Sequence, residues 1–245
     1  MIEELKISTS LAEADEDAAS AISVLKTCNI SNIMLTVDQS TIANVRHIRD
    51  LATASDIGIA GLEYKDIWSV DYTQLKELSY MLKPKFVKFN WDSENYDENK
   101  INGLIDCSIY GNFMPQICLN GILVNNKPRN LSVFDFMSIS KRLSICFDPV
   151  EILMRYNINV INEYFIPNFD RIGNIVIRDY KVGVGNRPVG YGSIDWAAIF
   201  SKLDKYNGWL IFKPSLGSRY NDLVGRQQIF KAAYSSFAEV LESCQ

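Results

Sequence analysis

Six apolar stretches of this chain each finish on residues that are expensive to bury. IGIAGLEY carries Glu63, KFVKFNW carries Asn90 and Trp91, and MPQICLN ends at Asn120. SICFDP contains Asp148, NIVIRD ends in Arg178 and Asp179, and WLIFKPS contains Lys213. Each run has the length and apolar content of a buried strand. A carboxylate such as Asp148 or Glu63 can move a proton. An ammonium or guanidinium such as Lys213 or Arg178 can stabilise a developing enolate oxyanion. Together they suit proton transfer beside a developing negative charge, provided the six ends converge. For any one of them the plainer explanation is that strand ends become polar because they reach water.

Convergence depends on the elements that carry them. Strand-like runs at 4–10, 32–37, 57–64, 85–91, 114–120, 144–149, 172–179 and 209–215 are each followed by a helical pattern. In the first helix, 13–29, acids crowd the start and Ala19, Ile22, Val24 and Leu25 repeat with helical spacing. In the second, Ile42, Val45, Ile48 and Leu51 do the same. Later helical patterns fall at 134–142, 151–165, 195–207 and 221–243.

Strict alternation of strand and helix demands a parallel sheet with right-handed crossovers. Eight such units in 245 residues favour closure into a barrel, whose usual length is roughly 250 residues. ISTSLAEA, after the first strand, has no glycine and so cannot form the phosphate turn of a dinucleotide fold. No Pro/Gly/Ser linker divides the chain. The expectation is α/β, a single (β/α)8 TIM barrel spanning 1–245.

Such barrels keep their reactive groups at the C-terminal ends of the strands. Alternate strand residues face inward. One parity aims Lys88 and Asn90, Gln116, Cys118 and Asn120, Ser144, Cys146 and Asp148, Val176 and Arg178, and Ile211 and Lys213 into the barrel.

A net charge of -4 argues against the broad basic face that nucleic acid needs. MIEELKISTS lacks the basic and apolar regions of a signal peptide, and no apolar run approaches the ~20 residues of a membrane span. A cytoplasmic protein with no nucleic-acid or membrane partner is expected. Cys28, Cys107, Cys118, Cys146 and Cys244 are scattered without a C-x-x-C pair, so they read as reduced thiols. His47, the single histidine, lies in a helix between Val45 and Ile48 and reads as a surface residue.

FDPVEIL at 147–153, FDRIGNIVIRDYKVG at 169–183 and RPVGYGSIDWAAIFSKLDKYNGWLIFKPS at 187–215 resemble the C-terminal half of the xylose isomerase-like TIM barrels. That superfamily includes sugar isomerases, sugar epimerases and the type-IV endonuclease. The resemblance implies metal ligands at four strand ends, and this chain departs from most of them. Asn120 stands for the strand-five Glu. Asp148 is kept on strand six, but Glu151 stands where a His often follows. In the H-x-K-D pattern of strand seven, Val176 replaces the His, Arg178 the Lys, and Asp179 keeps the Asp. Lys213 replaces the strand-eight Glu. A divalent cation wants carboxylates and neutral imidazole, so no metal and no cofactor are expected. In the family the ends of strands six and eight share the metal, so Asp148 and Lys213 are expected to pair here.

Arg187, in the glycine-rich stretch KVGVGNRPVGYGSIDW, could contact an anion. Trp91, with Tyr64 and Trp68, could stack on a sugar face or plug the barrel top. Two functions follow. The first is an isomerase/epimerase-like protein acting on or binding a small anionic carbohydrate without a metal. The second is a degenerate barrel that persists as a binding or scaffold protein.

Overall fold

In the computed structural model, which describes residues 5–11, 17–91, 97–119, 140–156, 159–214 and 223–244, parallel strands close into a barrel. In chain order the strands are β1 (Ile7–Ser10), β2 (Asn32–Thr36), β3 (Gly58–Tyr64), β4 (Phe86–Trp91), β5 (Met114–Leu119), β6 (Ser144–Phe147), β7 (Ile172–Ile177), β8 (Asp179–Lys181), β9 (Gly185–Arg187) and β10 (Trp209–Phe212). The ring runs β1-β10-β7-β6-β5-β4-β3-β2, while β8 and β9 form a separate antiparallel hairpin. The expected (β/α)8 TIM barrel is the observed fold.

The helices are α1 (Ala18–Thr27), α2 (Gln39–Ala54), α3 (Tyr72–Leu82), α4 (Glu98–Gly111), α5 (Pro149–Tyr156), α6 (Trp196–Phe200) and α7 (Leu223–Ser243). Aspartates fix several of their starts. Asp17, Asp38, Asp71, Asp97 and Asp195 each accept a backbone N–H of the first helical turn. These acids are spent on caps, although they sit where strands hand over to helices.

Two expected helices are broken. The 151–165 pattern divides into α5 and a π-helical turn, Val160–Phe165. The 195–207 pattern divides into α6 and a 3₁₀ turn, Leu203–Lys205. The helix expected at 134–142 lies outside the described residues except for Ser140–Arg142, which form a turn. The glycine-rich stretch is not a plain loop, because Asp179–Lys181 pairs with Gly185–Arg187.

Apolar packing separates into two bodies. One fills the space between the sheet and its helices, with Leu25, Ile33, Leu62, Val87, Phe147 and Ile175 among its members. The other lies inside the barrel: Met34, Ala60, Phe86, Cys146, Val176 and Ile211. Cys146, Val176 and Ile211 are residues that strand parity aims inward, so the expected parity holds. No helix among the described residues is long and apolar enough to cross a membrane.

Candidate functional site

Outward-facing aromatic residues hold the strands that present the polar ends. Tyr64 of β3 stacks on Phe89 of β4 with ring centroids 5.4 Å apart, which fixes Glu63 beside Lys88. Phe147 stacks at 5.6 Å on Tyr164 just before Asp148. Phe212 meets Phe230, Tyr234 and Phe237 of α7 at 5.3, 5.4 and 5.6 Å just before Lys213. The residue adjoining each aromatic, before it on β3 and β4 and after it on β6 and β10, must point into the barrel. The backbone N–H of Lys213 also donates to Ile177 O at 3.0 Å, tying the end of β10 to β7.

The charges form two clusters. In the first, Glu63 is paired with Lys88 and lies 3.6 Å from Lys213 Nζ. The Glu63 side chain is only 7% exposed, whereas that of Lys213 is 30% exposed. Burial alone would raise the Glu63 pKa, but the charges of Lys88 and then Lys213 outweigh it and hold it at about 2. Among the described residues this cluster brings one carboxylate and two ammonium groups together.

In the second cluster Arg178 Nη2 lies 2.7 Å from both Asp148 Oδ2 and Glu151 Oε1. Arg178 Nε also donates to both Asp148 oxygens, at 3.1 and 3.0 Å. Burial opposes the guanidinium charge, yet the charge of Asp148 and hydrogen bonds to Asp148 and Glu151 push its pKa above the ordinary value. Asp148 Oδ1 also accepts the backbone N–H groups of Val150 and Glu151, at 3.2 and 3.3 Å, and so starts α5. Among the described residues this cluster gathers two carboxylates around one guanidinium.

The expected partnership of Asp148 with Lys213 is therefore corrected. The planar fork of Arg178, from the neighbouring strand β7, satisfies both Asp148 oxygens. Lys213 extends instead to Glu63. Lys88, which parity aims inward but which the chemistry-bearing set leaves out, is the principal partner of Glu63. Its place beside Glu63 in the β3–β4 register could have been found from the alternation of both strands.

Asp179, which keeps the Asp of the strand-seven pattern, shapes the local backbone. It is buried, and its carboxylate accepts the N–H groups of Tyr180, Gly190, Gly192 and Ile194 at 2.8, 3.0, 3.0 and 3.3 Å. It pins the loop that follows the hairpin, and a side chain at Gly192 would collide with it. Arg187 sits on β9, where it donates to Asn186 O at 3.1 Å. Asn90 is half-buried at the end of β4. The Trp91 side chain and all of Asn120 lie outside the described residues. Tyr64 belongs to the outer core and faces away from the barrel interior.

The described donor set does not fit a divalent cation. Val176 is fully buried in the interior apolar cluster and offers no donor. Glu63 and Asp148 are each occupied by a cationic side chain. Among the described residues no group of three or more His, Cys, Asp or Glu side chains could hold a metal ion.

No protein-family model and no curated protein sequence matches the chain. Solved structures do. D-allulose 3-epimerase from Methylomonas sp. superposes with a TM-score of 0.67 at 14% identity, over 98% of each chain. Its complex with D-allulose gives 0.65 at 15% identity over 96% of each chain. A xylose isomerase domain protein from Alicyclobacillus acidocaldarius subsp. acidocaldarius gives 0.65 at 10% identity, over 97% of this chain and 99% of that one. The fold is that of the xylose isomerase-like TIM barrels. These likenesses, at 10–15% identity, are likenesses of fold.

Proposed function

We propose that this is a sugar isomerase/epimerase-like protein whose mouth takes a small anionic carbohydrate or keto/hydroxy acid without a divalent cation. The observation that carries this reading is the gathering of charged side chains at the mouth, Glu63 with Lys88 and the part-exposed Lys213 on one side and Arg178 with Asp148 and the part-exposed Glu151 on the other. A phosphate or carboxylate is attracted to the first and hydroxyl groups donate to the second. The structural likeness to an epimerase crystallised with D-allulose supports a sugar-sized ligand. Buried, free Cys28, Cys107 and Cys146 suit a reducing compartment, and we assign the protein to the cytoplasm.

In the catalytic form of this reading a carboxylate removes a proton beside a carbonyl and returns it to the neighbouring or opposite face, while Lys213 and Arg178 stabilise the enolate oxygen between the two steps. A base held at about 2 is a poor proton acceptor at neutral pH. Proton transfer therefore falls to Glu151, the more exposed carboxylate of the second cluster. The same low Glu63 value favours a second reading, in which the barrel binds its ligand and performs no chemistry.

Incubating the protein with sugar phosphates and sugar acids in heavy water separates the two. Isomerase/epimerase chemistry washes deuterium into the carbon beside the carbonyl, detected by proton NMR. Thermal stabilisation by the same compounds without exchange supports the binding protein. Neither stabilisation nor exchange contradicts both.

A further inference from the structure

The end of the barrel opposite the mouth holds a cavity of about 450 Å³. It lies at the N-terminal ends of β4, β5, β6, β7 and β10, where Phe86, Met114, Ser144, Gly173 and Trp209 line it. None of the charged residues of the mouth contributes to its wall.

Two features give this cavity a chemical character. Its wall carries four cations, Lys85, Lys141, Arg171 and Lys205, against one acid, Asp170, in a chain of net charge -4. Its floor carries Gln116, which is 2% exposed and whose Oε1 has no hydrogen-bond partner. An unsatisfied buried carbonyl of this kind costs roughly 1–3 kcal/mol, so a donor is wanted there. Asn174, inward-facing on β7 beside Trp209, is fully buried and leaves both amide atoms unpartnered. Gly173 makes the polar floor sterically possible, since a Cβ there would stand 2.5 Å from Ser144 Oγ and 2.7 Å from Gln116 Nε2.

Strand register sets the depth. Lys85 precedes Phe86, which pairs with Met114 at the cavity's entrance, and Gln116 lies two residues further along β5. Two strand residues span roughly 7 Å, about the length of one six-membered ring with a substituent at each end. Phe86, Phe169, Tyr206 and Trp209 supply apolar and aromatic wall between the cations and the glutamine.

We propose that this basal cavity is a second ligand site, for a small organic anion that has a flat apolar body and a hydroxyl or amine donor at its far end. The anion rests among Lys85, Lys141 and Lys205, and the donor reaches Gln116 Oε1.

The test uses 4-hydroxybenzoate, benzoate and phenol as probes, titrated by calorimetry into the whole protein and three variants. Wild type is expected to bind 4-hydroxybenzoate about tenfold more tightly than benzoate, the equivalent of one buried hydrogen bond, and to bind phenol more weakly than either. Gln116→Leu should remove the preference for the hydroxyl. The paired change Lys85→Glu with Lys205→Glu, both at exposed positions, should abolish binding of both anions. Lys213→Met, at the mouth, should leave binding intact. If Gln116→Leu fails to fold, the charge reversal still decides. The proposal is overturned if wild type shows no saturable binding, if the charge-reversed protein binds as well as wild type, or if Lys213→Met abolishes binding.

Discussion

Lys213 Nζ, at the end of β10, lies 3.6 Å from Glu63 Oε1 on β3, with β1 and β2 between the two strands in the ring. The contact bridges the edge of the barrel mouth. It gives a nearly buried carboxylate a second cation, on top of the closer and more deeply buried Lys88.

The two lysines should therefore differ sharply when removed. Lys88→Met leaves buried Glu63 without its main partner and is expected to cost roughly 3 to 5 kcal/mol. Lys213→Met breaks a longer and more exposed contact and should cost no more than about 1 kcal/mol. Adding Glu63→Leu to Lys88→Met should recover much of the loss, because both buried charges are then gone. Urea denaturation of the single and double variants measures all three.

Acid should find Glu63. Its pKa is about 2 in the folded protein against an ordinary 4.5, so the folded state favours the charged form. The resulting stability is fully present above pH 4.5 and is lost as the pH falls through that value toward about 2. At 1.36 kcal/mol per unit this is worth roughly 3 kcal/mol. Glu63→Gln removes the titrating group, so its stability should fall less steeply than that of wild type between these pH values. Equal slopes would contradict the assignment.

Arg178 serves Asp148 and Glu151 through a planar fork, and its two natural replacements should separate accordingly. Arg178→Met leaves two carboxylates facing each other, one of them buried, and should cost about 3 kcal/mol or more. Arg178→Lys keeps the charge but loses the two-pronged contact with Asp148, so it should recover only part of that. Thermal unfolding of both variants reads the difference.

Much of the fold was legible because short, mostly apolar strand-like runs alternate with stretches of helical periodicity. Parity along β6, β7 and β10 placed Cys146, Val176 and Ile211 in the barrel interior from the sequence alone. The breaks in the 151–165 and 195–207 helices were not legible, because apolar spacing continues across them. The pairing of charges was harder to read. Strand ends pointed to Glu63, Asp148, Arg178 and Lys213, which the structure places in two ion-pair clusters, but which cation reaches which carboxylate depends on side-chain length and on ring neighbours. Arg178 is on the strand next to Asp148 and claimed it. That the carboxylate of Asp179 accepts four backbone N–H groups, from Tyr180, Gly190, Gly192 and Ile194, depends on how the following loop folds back and was not legible in the sequence.

Metal content follows from the donor set. After dialysis, elemental analysis should find far less than one Zn²⁺, Mn²⁺ or Mg²⁺ per chain. Val176→His with Lys213→Glu adds two donors, but Arg178 still holds Asp148, so metal uptake should need Arg178→Met as well. Near-stoichiometric metal in wild type would contradict this account of the mouth.

The central claim is that Lys213 draws an anionic sugar to a mouth that works without a metal. The most direct measurement is a calorimetric titration of ribulose 5-phosphate, with ribulose as the uncharged control, in buffer containing EDTA. The Lys85→Glu/Lys205→Glu protein is the host, so that the basal cavity does not contribute. The account predicts saturable binding of the phosphate, little binding of the neutral sugar, and at least a roughly tenfold weakening when Lys213→Met is added, the loss of one charge-assisted contact. Binding of the phosphate that is indifferent to Lys213, or binding of neutral ribulose that appears only when a divalent cation is supplied, would contradict it.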